Sequence, residues 1–490
     1  MLGKVTSLSK QSAVYGLGTF LNQGLAFFLI PLYTRYLTPA EYGISGSVTA
    51  VMGVLSILLT LSLESAVARF YYDFDNEEER RRYFATAWLF LLLFGLVVAV
   101  VLDLAGDWIF QLAFRGVPFR PYGRLALWGS YLSITAVIPT VMFRVREQPR
   151  TFVLFSVSQF LLRVLLNITF VVHLGQGVKG IFVATLLANL VYAVPYTWIA
   201  WRGMRFSLHG THRLRESLAY ALPFVPHRLS NWVLNVSDRI VLENYVPLEA
   251  LGLYTVGYRF GLMLGAMLDA VNLAWVPFYF KTAKEEGGAQ TLARLVTYYV
   301  YALTFLTLGT VLLSREVVFL MAAPQFQPAY RVVPPVAIAY GLHGLYLVMV
   351  SGPSYTKRTA QIPLYTGIAA VVNVAINLSL VPRYGVMVAA WSTMVAFLVR
   401  AVLISIFSLR VFPLPYDYRR LGLSIALGLV LGTGWFVDVG NWWGNLGTKL
   451  VLLAAYPLIV WNTLLDAREK AGLRVMNLRL RARLARSIGR

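Results

Sequence analysis

Apolar runs of about 20 residues recur along the whole chain, and they constrain its fold more than any other feature. A helix that crosses the hydrocarbon core of a bilayer needs about 20 mostly apolar residues, because the core is about 30 Å thick and each residue rises about 1.5 Å. Lipid offers no partners to backbone polar groups, so runs of this length cross as helices. The sequence therefore predicts an all-α polytopic membrane protein.

We predict about fourteen spans, arranged as two groups of six followed by a pair. The predicted spans are residues 12–34, 43–66, 83–104, 122–143, 151–173, 179–201, 217–240, 251–275, 291–313, 330–352, 361–381, 386–408, 420–438 and 446–466. The first run is too long for the apolar region of a cleavable signal, so we expect it to remain as a span. Only 13% of the residues are charged, against about 25% in soluble domains, which agrees with lipid as the main solvent.

The net charge of +21 does not indicate nucleic acid, because the basic residues lie in short segments between the apolar runs. With the N-terminus in the cytoplasm, the cytoplasmic segments hold about three times as many Lys and Arg as the opposite side. We therefore predict a bacterial inner-membrane protein with both termini cytoplasmic. The tail, residues 467–490, has apolar residues at helical spacing with arginines between them, which indicates an amphipathic helix on anionic membrane lipids or a solvated topology anchor.

The two groups of six spans resemble each other at an offset of 208 residues. Pro39 and Glu41 after the first span correspond to Pro247 and Glu249 after the seventh, and the double Glu at 77–78 corresponds to that at 285–286. Six helices separate the copies, so both have the same orientation, as in parallel repeats that face each other across a central site. We predict lobes at 1–208 and 209–415, a helix pair at 416–466 and the tail at 467–490.

Polar residues within the spans are candidates for a binding cavity, because ionisable groups in lipid are costly and face the bundle interior. The seventh span carries a stripe about 100° wide that faces a water-filled cavity or polar partners. The predicted cavity residues are Arg228, Asn231, Asn235 and Arg239 on this stripe, His227 just before it, Asn22 and Gln23 in the first span, Arg163 in the fifth and Arg259 in the eighth. Arginine forks suit a pyrophosphate, and the alternative is interhelical salt bridges, for example between Arg259 and Asp238.

Acidic residues in the spans are candidates for ion coupling or for gate salt bridges. They are Asp238, Asp269 and Glu64, with Asn272 one turn from Asp269. The chain has no Gly-rich phosphate loop for ATP, so Na⁺ or H⁺ is the expected coupling ion and no other cofactor is expected. The sequence contains no cysteine and no clustered histidines, so no metal site and no catalytic residues are expected. Arg400, near the cytoplasmic end of its span, is expected to extend towards the interface.

Two segments resemble a known family. Residues 30–43, IPLYTRYLTPAEYG, are similar to the first loop of Wzx-type polysaccharide flippases, and SDRIVL at 237–242 with GLYTVG at 252–257 is similar to the start of their second lobe. These flippases belong to the multidrug/oligosaccharidyl-lipid/polysaccharide exporter superfamily. The resemblance implies a V-shaped alternating-access transporter that moves an undecaprenyl-pyrophosphate-linked glycan to the periplasmic leaflet. It also implies a polysaccharide polymerase and a chain-length regulator as partners.

Two other functions fit the sequence less well. A cation-coupled multidrug exporter shares the fold, but it would favour an acidic or aromatic cavity, whereas the cavity predicted here is basic. A membrane polysaccharide polymerase would need a sizeable periplasmic loop, and no connecting segment exceeds about 20 residues. The prediction is therefore a flippase and not an enzyme.

Overall fold

The computed structural model describes Phe27 and residues 29–205, 211–467 and 469–471. All regular secondary structure in these ranges is helical. The α-helices are α1 (Ile30–Tyr36), α2 (Pro39–Thr60), α3 (Leu63–Phe70), α4 (Glu77–Ala113), α5 (Arg124–Ser133), α6 (Val137–Val145), α7 (Pro149–Asn167), α8 (Gly177–Gly203), α9 (Thr211–Ala221), α10 (Phe224–Val236), α11 (Asp238–Tyr245), α12 (Leu248–Thr282), α13 (Gly288–Leu312), α14 (Ser314–Met321), α15 (Val333–Met349), α16 (Ser351–Tyr355), α17 (Ile362–Tyr384), α18 (Met387–Val411), α19 (Tyr418–Gly432) and α20 (Trp442–Ile459).

Eleven helical stretches in the described part of the chain are long and apolar enough to cross a membrane. Three of the fourteen predicted spans are not among them. The first lies mostly outside the described residues, the seventh is broken, and the thirteenth is the 15-residue helix α19 followed by a 3-10 turn, Thr433–Phe436. The count of fourteen therefore stays a prediction.

The seventh predicted span, 217–240, is not one helix. Helix α9 ends at Ala221, α10 begins at Phe224, and α11 begins at Asp238. Pro223 lies in the first break and cannot donate a backbone N–H to continue a helix. Two shorter helices, α10 and α11, therefore stand in place of one span, and the polar residues of the stripe are divided between them.

The second predicted span, 43–66, is also divided. Helix α2 begins with a capping box, in which Thr38 accepts a hydrogen bond from the backbone N–H of Glu41 and the Glu41 side chain accepts one from Thr38. It ends where Leu61 and Ser62 adopt left-handed backbone conformations, with φ of 49° and 58°. Glu64 therefore lies on the separate short helix α3.

The chain packs as two compact groups. Of the described residues, the first group comprises those up to Pro277 together with Val318–Phe412, and the second comprises Phe278–Val317 together with those from Pro413 onwards. In the second group α13, α19 and α20 enclose an apolar cluster that includes Leu308, Leu312 and Tyr456. The predicted boundaries at 208, 415 and 466 rest on the sequence repeat rather than on packing, and they stay predictions. Most of the predicted amphipathic tail lies outside the described residues.

Candidate functional site

The first turns of α2 and α12, which correspond in the sequence repeat, contact each other through their backbones. A Cβ atom on Gly43 would lie 2.2 Å from the carbonyl oxygen of Leu248, and one on Gly252 would lie 1.8 Å from that of Pro39. Only glycine permits so close an approach at either position. The two helices therefore begin at one closed crossing.

A cavity of about 450 Å³ lies against α2, α7, α8 and α12, in the first packing group. Its lining is mostly apolar and aromatic, with three charged side chains: Arg163 from α7, and Arg259 and Asp269 from α12. A cavity of this size and character is typical of a small-molecule or head-group site. The fold thus brings together three of the site residues that were predicted from the sequence.

Arg259 is held by an aromatic side chain rather than by an acid. Its Nη1 donates to the hydroxyl of Tyr42 over 2.8 Å, and its guanidinium lies 5.1 Å from the centre of the Tyr42 ring. Tyr42 is itself 1% exposed, so it is a rigid support. Among the described residues no carboxylate pairs with Arg259, and the alternative salt bridge to Asp238 does not form: Asp238 pairs elsewhere.

Arg163 has no hydrogen-bond or ion-pair partner among the described residues. Its Nε is buried without a partner, while its own carbonyl accepts from the side chain of Asn167 over 2.7 Å. A permanently charged guanidinium inside a membrane protein is costly unless something compensates it. Its charge therefore remains available to an anion in the cavity.

Asp269 provides the one acidic group in the described lining of this cavity. Its side chain is 59% exposed, and Oδ1 lies 3.3 Å from Nε2 of His343 on α15. Asn272, one turn further along α12, has a buried Oδ1 with no hydrogen-bond partner in the part of the chain that the structure describes. The acidic end of the cavity is thus linked to a second helix.

The polar stripe of the seventh predicted span divides between different partners. Arg228 forms an ion pair with Glu64 of α3, which joins two residues predicted separately from the sequence. Asn231 donates to the carbonyl of His227 over 3.0 Å, and Asn235 donates to that of Asn231 over 2.7 Å. None of these residues lines the cavity described above. Asn22 and Gln23 lie outside the described residues.

Asp238 and Arg239 form a buried ion pair with 2.9 Å between Oδ1 and Nη1. The hydroxyl of Tyr254 donates to Asp238, and the guanidinium lies 4.4 Å from the ring centre of Tyr258. Side-chain exposures of 2% for Asp238 and 9% for Arg239 leave this pair little access to a ligand. In the described structure its partners are the protein's own side chains.

Arg400 does not extend towards the interface, so that expectation is wrong. The residue is 2% exposed, and its guanidinium lies 4.3 Å from the Tyr346 ring centre and 4.4 Å from that of Phe397. Its Nη2 is 2.8 Å from Nδ1 of His343. Aromatic faces and an imidazole acceptor from α15 hold it inside the helix bundle.

Two residues of the site were missed from the sequence. Tyr42 lies within the segment that resembles the flippases, but a tyrosine there gives no signal of its bond to Arg259. His343 was one of five scattered histidines. An intramembrane histidine near a charged residue of another helix can be recognised only once the helices are packed.

The model of a protein family described as "Polysaccharide biosynthesis protein" matches residues 8–283. A curated protein of Haemophilus influenzae, "Lsg locus putative protein 1", is 23% identical over 287 residues, which cover 56% of this chain and 67% of that protein.

Solved structures of membrane transporters resemble most of this chain in fold. The lipid II flippase MurJ in an inward closed conformation has a TM-score of 0.74 at 12% identity, covering 92% of this chain and 99% of that one. An inward-facing transporter of the MATE family has a TM-score of 0.59 at 16% identity, covering 84% and 98%. A mutant of the Vibrio cholerae MATE transporter VcmN has 0.56 at 15% identity, covering 83% and 97%. The predicted all-α membrane-transporter fold is confirmed.

Proposed function

Because this chain belongs to the polysaccharide biosynthesis protein family of membrane transporters, we propose that it flips an undecaprenyl-pyrophosphate-linked oligosaccharide from the cytoplasmic to the periplasmic leaflet. The resemblance seen in the sequence is confirmed at the level of the family and the fold. The chain is a multi-pass membrane transport protein and not an enzyme. We propose this cargo and this direction of transport, together with an inner-membrane location and cytoplasmic termini.

One observation carries the choice of cargo: Arg163 and Arg259 line the same cavity, and neither is paired with a carboxylate of the described chain. An unpaired guanidinium is costly inside a membrane protein, and a pyrophosphate supplies the missing negative charge with bidentate geometry. The polyprenyl tail remains in lipid and the neutral sugars remain in water. The cavity therefore needs to bind only the pyrophosphate that joins the polyprenyl tail to the sugars.

The crossing of α2 and α12 at Gly43 and Gly252 supports the proposed direction of transport. By the predicted topology this crossing lies at the periplasmic end. Backbone contact there is consistent with a periplasmic exit that is closed while the cargo enters from the cytoplasmic side. Separation of the two helices then opens the exit, as alternating access requires.

Transport against a gradient needs coupling to H⁺ or Na⁺. Among the predicted acids, Asp238 pairs with Arg239 and Glu64 pairs with Arg228, whereas Asp269 faces the cavity. Asp269 is thus the acid that can exchange a cation with the cavity water. A polysaccharide polymerase and a chain-length regulator are the proposed partners that use the flipped product.

The proposed cargo site can be tested by complementation of a deletion strain that does not produce this protein. We expect Arg163→Ala and Arg259→Ala to reduce surface glycan at least tenfold, with protein in the membrane at the normal level. Arg383→Ala, an exposed arginine at the end of α17, is the matched control and should leave the glycan unchanged. Normal glycan in both cavity variants would contradict the cargo site.

The MATE likeness favours a cation-coupled multidrug exporter as a second candidate. Its cavity would have to bind cations, and two arginines against one aspartate oppose that. A drug-susceptibility panel in the same deletion strain separates the two. Increased susceptibility to cationic drugs with intact glycan would favour the exporter.

A further inference from the structure

A second cavity, of about 210 Å³, is lined by the ends of α6 and α8 in the first packing group. Each helix supplies one guanidinium to its wall: Arg146 directly after α6, and Arg202 in the last turn of α8. A Cβ atom on Gly203 would lie 3.9 Å from Nη1 of Arg146, so this guanidinium lies beside the end of α8. None of the residues that line the first cavity lines this one, so the two are separate sites.

Arg202 carries a charge that no acid of the described chain neutralises. Its guanidinium lies 4.1 Å from the ring centre of Trp198, one turn earlier on α8. The neighbouring carboxylates of Glu77 and Glu78 pair with Arg146 and Arg205 instead. The face of an indole ring attracts a guanidinium and orients it, but it contributes no net negative charge. The side chain is therefore held in place with its donors available to an anion.

Arg146 is only partly neutralised. Its Nη2 lies 2.6 Å from Oε1 of Glu77, and the same carboxylate lies 3.6 Å from Arg80 and 3.7 Å from Arg81. One negative charge is thus shared by three guanidiniums. Arg146 can accordingly donate to a further anion in the cavity without giving up its ion pair.

The segments around the cavity have an excess of positive charge. Residues 77–82, 144–150 and 202–205 meet here, where the backbone N–H of Arg205 donates to the carbonyl of Arg81. Together the three segments have eight arginines and four glutamates. By the predicted topology they lie at the cytoplasmic leaflet, whose anionic lipids attract basic residues close to the membrane.

An apolar stripe on α8 leads to the cavity. Its five side chains are each at least 50% exposed: Leu190, Val191, Val194, Trp198 and Trp201. At about 100° per residue they share a face about 100° wide, with Arg202 beside it. Exposed apolar side chains of a span contact acyl chains, and tryptophans lie at the level of the head groups. A ligand that matches both features has acyl chains and an anionic group, which favours a lipid over a soluble anion.

We propose that this cavity binds the phosphate of an anionic phospholipid of the cytoplasmic leaflet through Arg146 and Arg202. The forked donors of a guanidinium match the oxygens of a phosphate. Basic pockets between membrane helices on the cytoplasmic side are typical sites for such head groups. The acyl chains lie along the apolar stripe of α8. This site is separate from the proposed cargo site and does not depend on the identity of the cargo.

Arginines at the cytoplasmic ends of spans also act as topology signals, and for that role their exact positions matter little. The cavity predicts a difference between neighbours instead. Arg144 and Arg150 belong to the same basic segment and are exposed, but they do not line the cavity. Only Arg146 and Arg202 should affect the affinity for the lipid.

The test is native mass spectrometry of the full-length protein in detergent, titrated with phosphatidylglycerol. We expect Arg146→Gln combined with Arg202→Gln to raise the dissociation constant of the first bound lipid about tenfold or more, because charged hydrogen bonds to the phosphate are lost. Arg144→Gln combined with Arg150→Gln removes the same charge and should leave this constant nearly unchanged. Arg202→Gln alone breaks no ion pair of the described chain, so it tests the site if the double variant is unstable.

Competition distinguishes the possible sources of the phosphate. Inorganic phosphate at millimolar concentration should not displace phosphatidylglycerol, because it has no acyl chains. Zwitterionic phosphatidylcholine should bind more weakly, because the arginines lack net negative charge to pair with. Arg163→Ala and Arg259→Ala should leave the affinity unchanged, since both residues line the other cavity.

Four results would overturn the proposal. Equal weakening in the Arg144 and Arg150 variant would show general attraction to a basic surface. Displacement by inorganic phosphate would show a site for soluble anions. Tighter binding of undecaprenyl phosphate than of phosphatidylglycerol, lost with Arg146 and Arg202, would assign the cavity to the polyprenyl carrier. Weaker phosphatidylglycerol binding in the Arg163 or Arg259 variant would place the lipid in the first cavity.

Discussion

Lys449 of α20 donates a hydrogen bond to Glu316 of α14, with 2.6 Å between Nζ and Oε1. The two side chains are 2% and 5% exposed, so the ion pair is buried within the second packing group. Neither residue was among the site residues predicted from the sequence. In the interior of a membrane protein such a pair is a strong positional restraint, because each charge is costly without the other.

Removal of one partner should therefore destabilise the protein more than removal of both. We expect Lys449→Met to cost about 3–5 kcal/mol, the usual penalty for leaving a buried charge unpaired. The double variant Lys449→Met with Glu316→Leu should recover most of the loss. Thermal unfolding of the detergent-solubilised protein gives the comparison, with Lys284→Met, at an exposed lysine, as a control. A double variant as unstable as the single one would show that the pair has another role.

A charge swap distinguishes whether Arg228 acts through its ion pair with Glu64 or through contact with the cargo. Arg228→Glu alone places two carboxylates together and should reduce glycan display strongly. Adding Glu64→Arg restores the attraction, so display should return to at least half of its normal level. If Arg228 instead binds the cargo, as its position in the polar stripe first indicated, the swapped pair stays inactive although the protein is present.

The crossing of α2 and α12 predicts a steric effect of single methyl groups. Gly252→Ala places a Cβ where the carbonyl oxygen of Pro39 lies, and Gly43→Ala meets Leu248 in the same way. Either change should prevent closure, increase labelling of cysteines introduced in the cavity from the outer side, and reduce glycan display. Gly422→Ala and Gly447→Ala are matched controls, because nothing lies within 4 Å of a Cβ at either position. Normal closure in both crossing variants would contradict the gate.

The spans were accessible from the sequence because hydropathy depends on composition over about 20 residues. The breaks within the spans could not be predicted in this way. Leu61 and Ser62 adopt left-handed backbone conformations although neither is glycine, and nothing in a hydropathy window marks them. Glu64 was consequently placed in a span, whereas it lies on the short helix α3.

The charged residues of the spans were also visible in the sequence, but their partners were not. Periodicity shows that Arg228 and Arg239 share a helix face, yet Arg228 pairs with α3 while Arg239 is enclosed by tyrosines of α12. Which neighbour faces a residue depends on helix packing, which a single sequence does not encode locally. The same reason explains Arg400: its position near a helix end suggested the interface, and α15 packs over it.

Arg239 and Arg259 should consequently respond differently to the same substitution. Arg239→Gln breaks a buried ion pair with Asp238 and should lower the amount of folded protein in the membrane and its thermal stability, by about 3–5 kcal/mol. Arg259→Gln removes no ion pair of the described chain and weakens only the hydrogen bond and ring contact to Tyr42, so protein level should hold while glycan display falls. Immunoblots of membranes and unfolding temperatures measured side by side distinguish the two. A stable but inactive Arg239→Gln protein would support the prediction, made from the polar stripe, that Arg239 contacts the cargo.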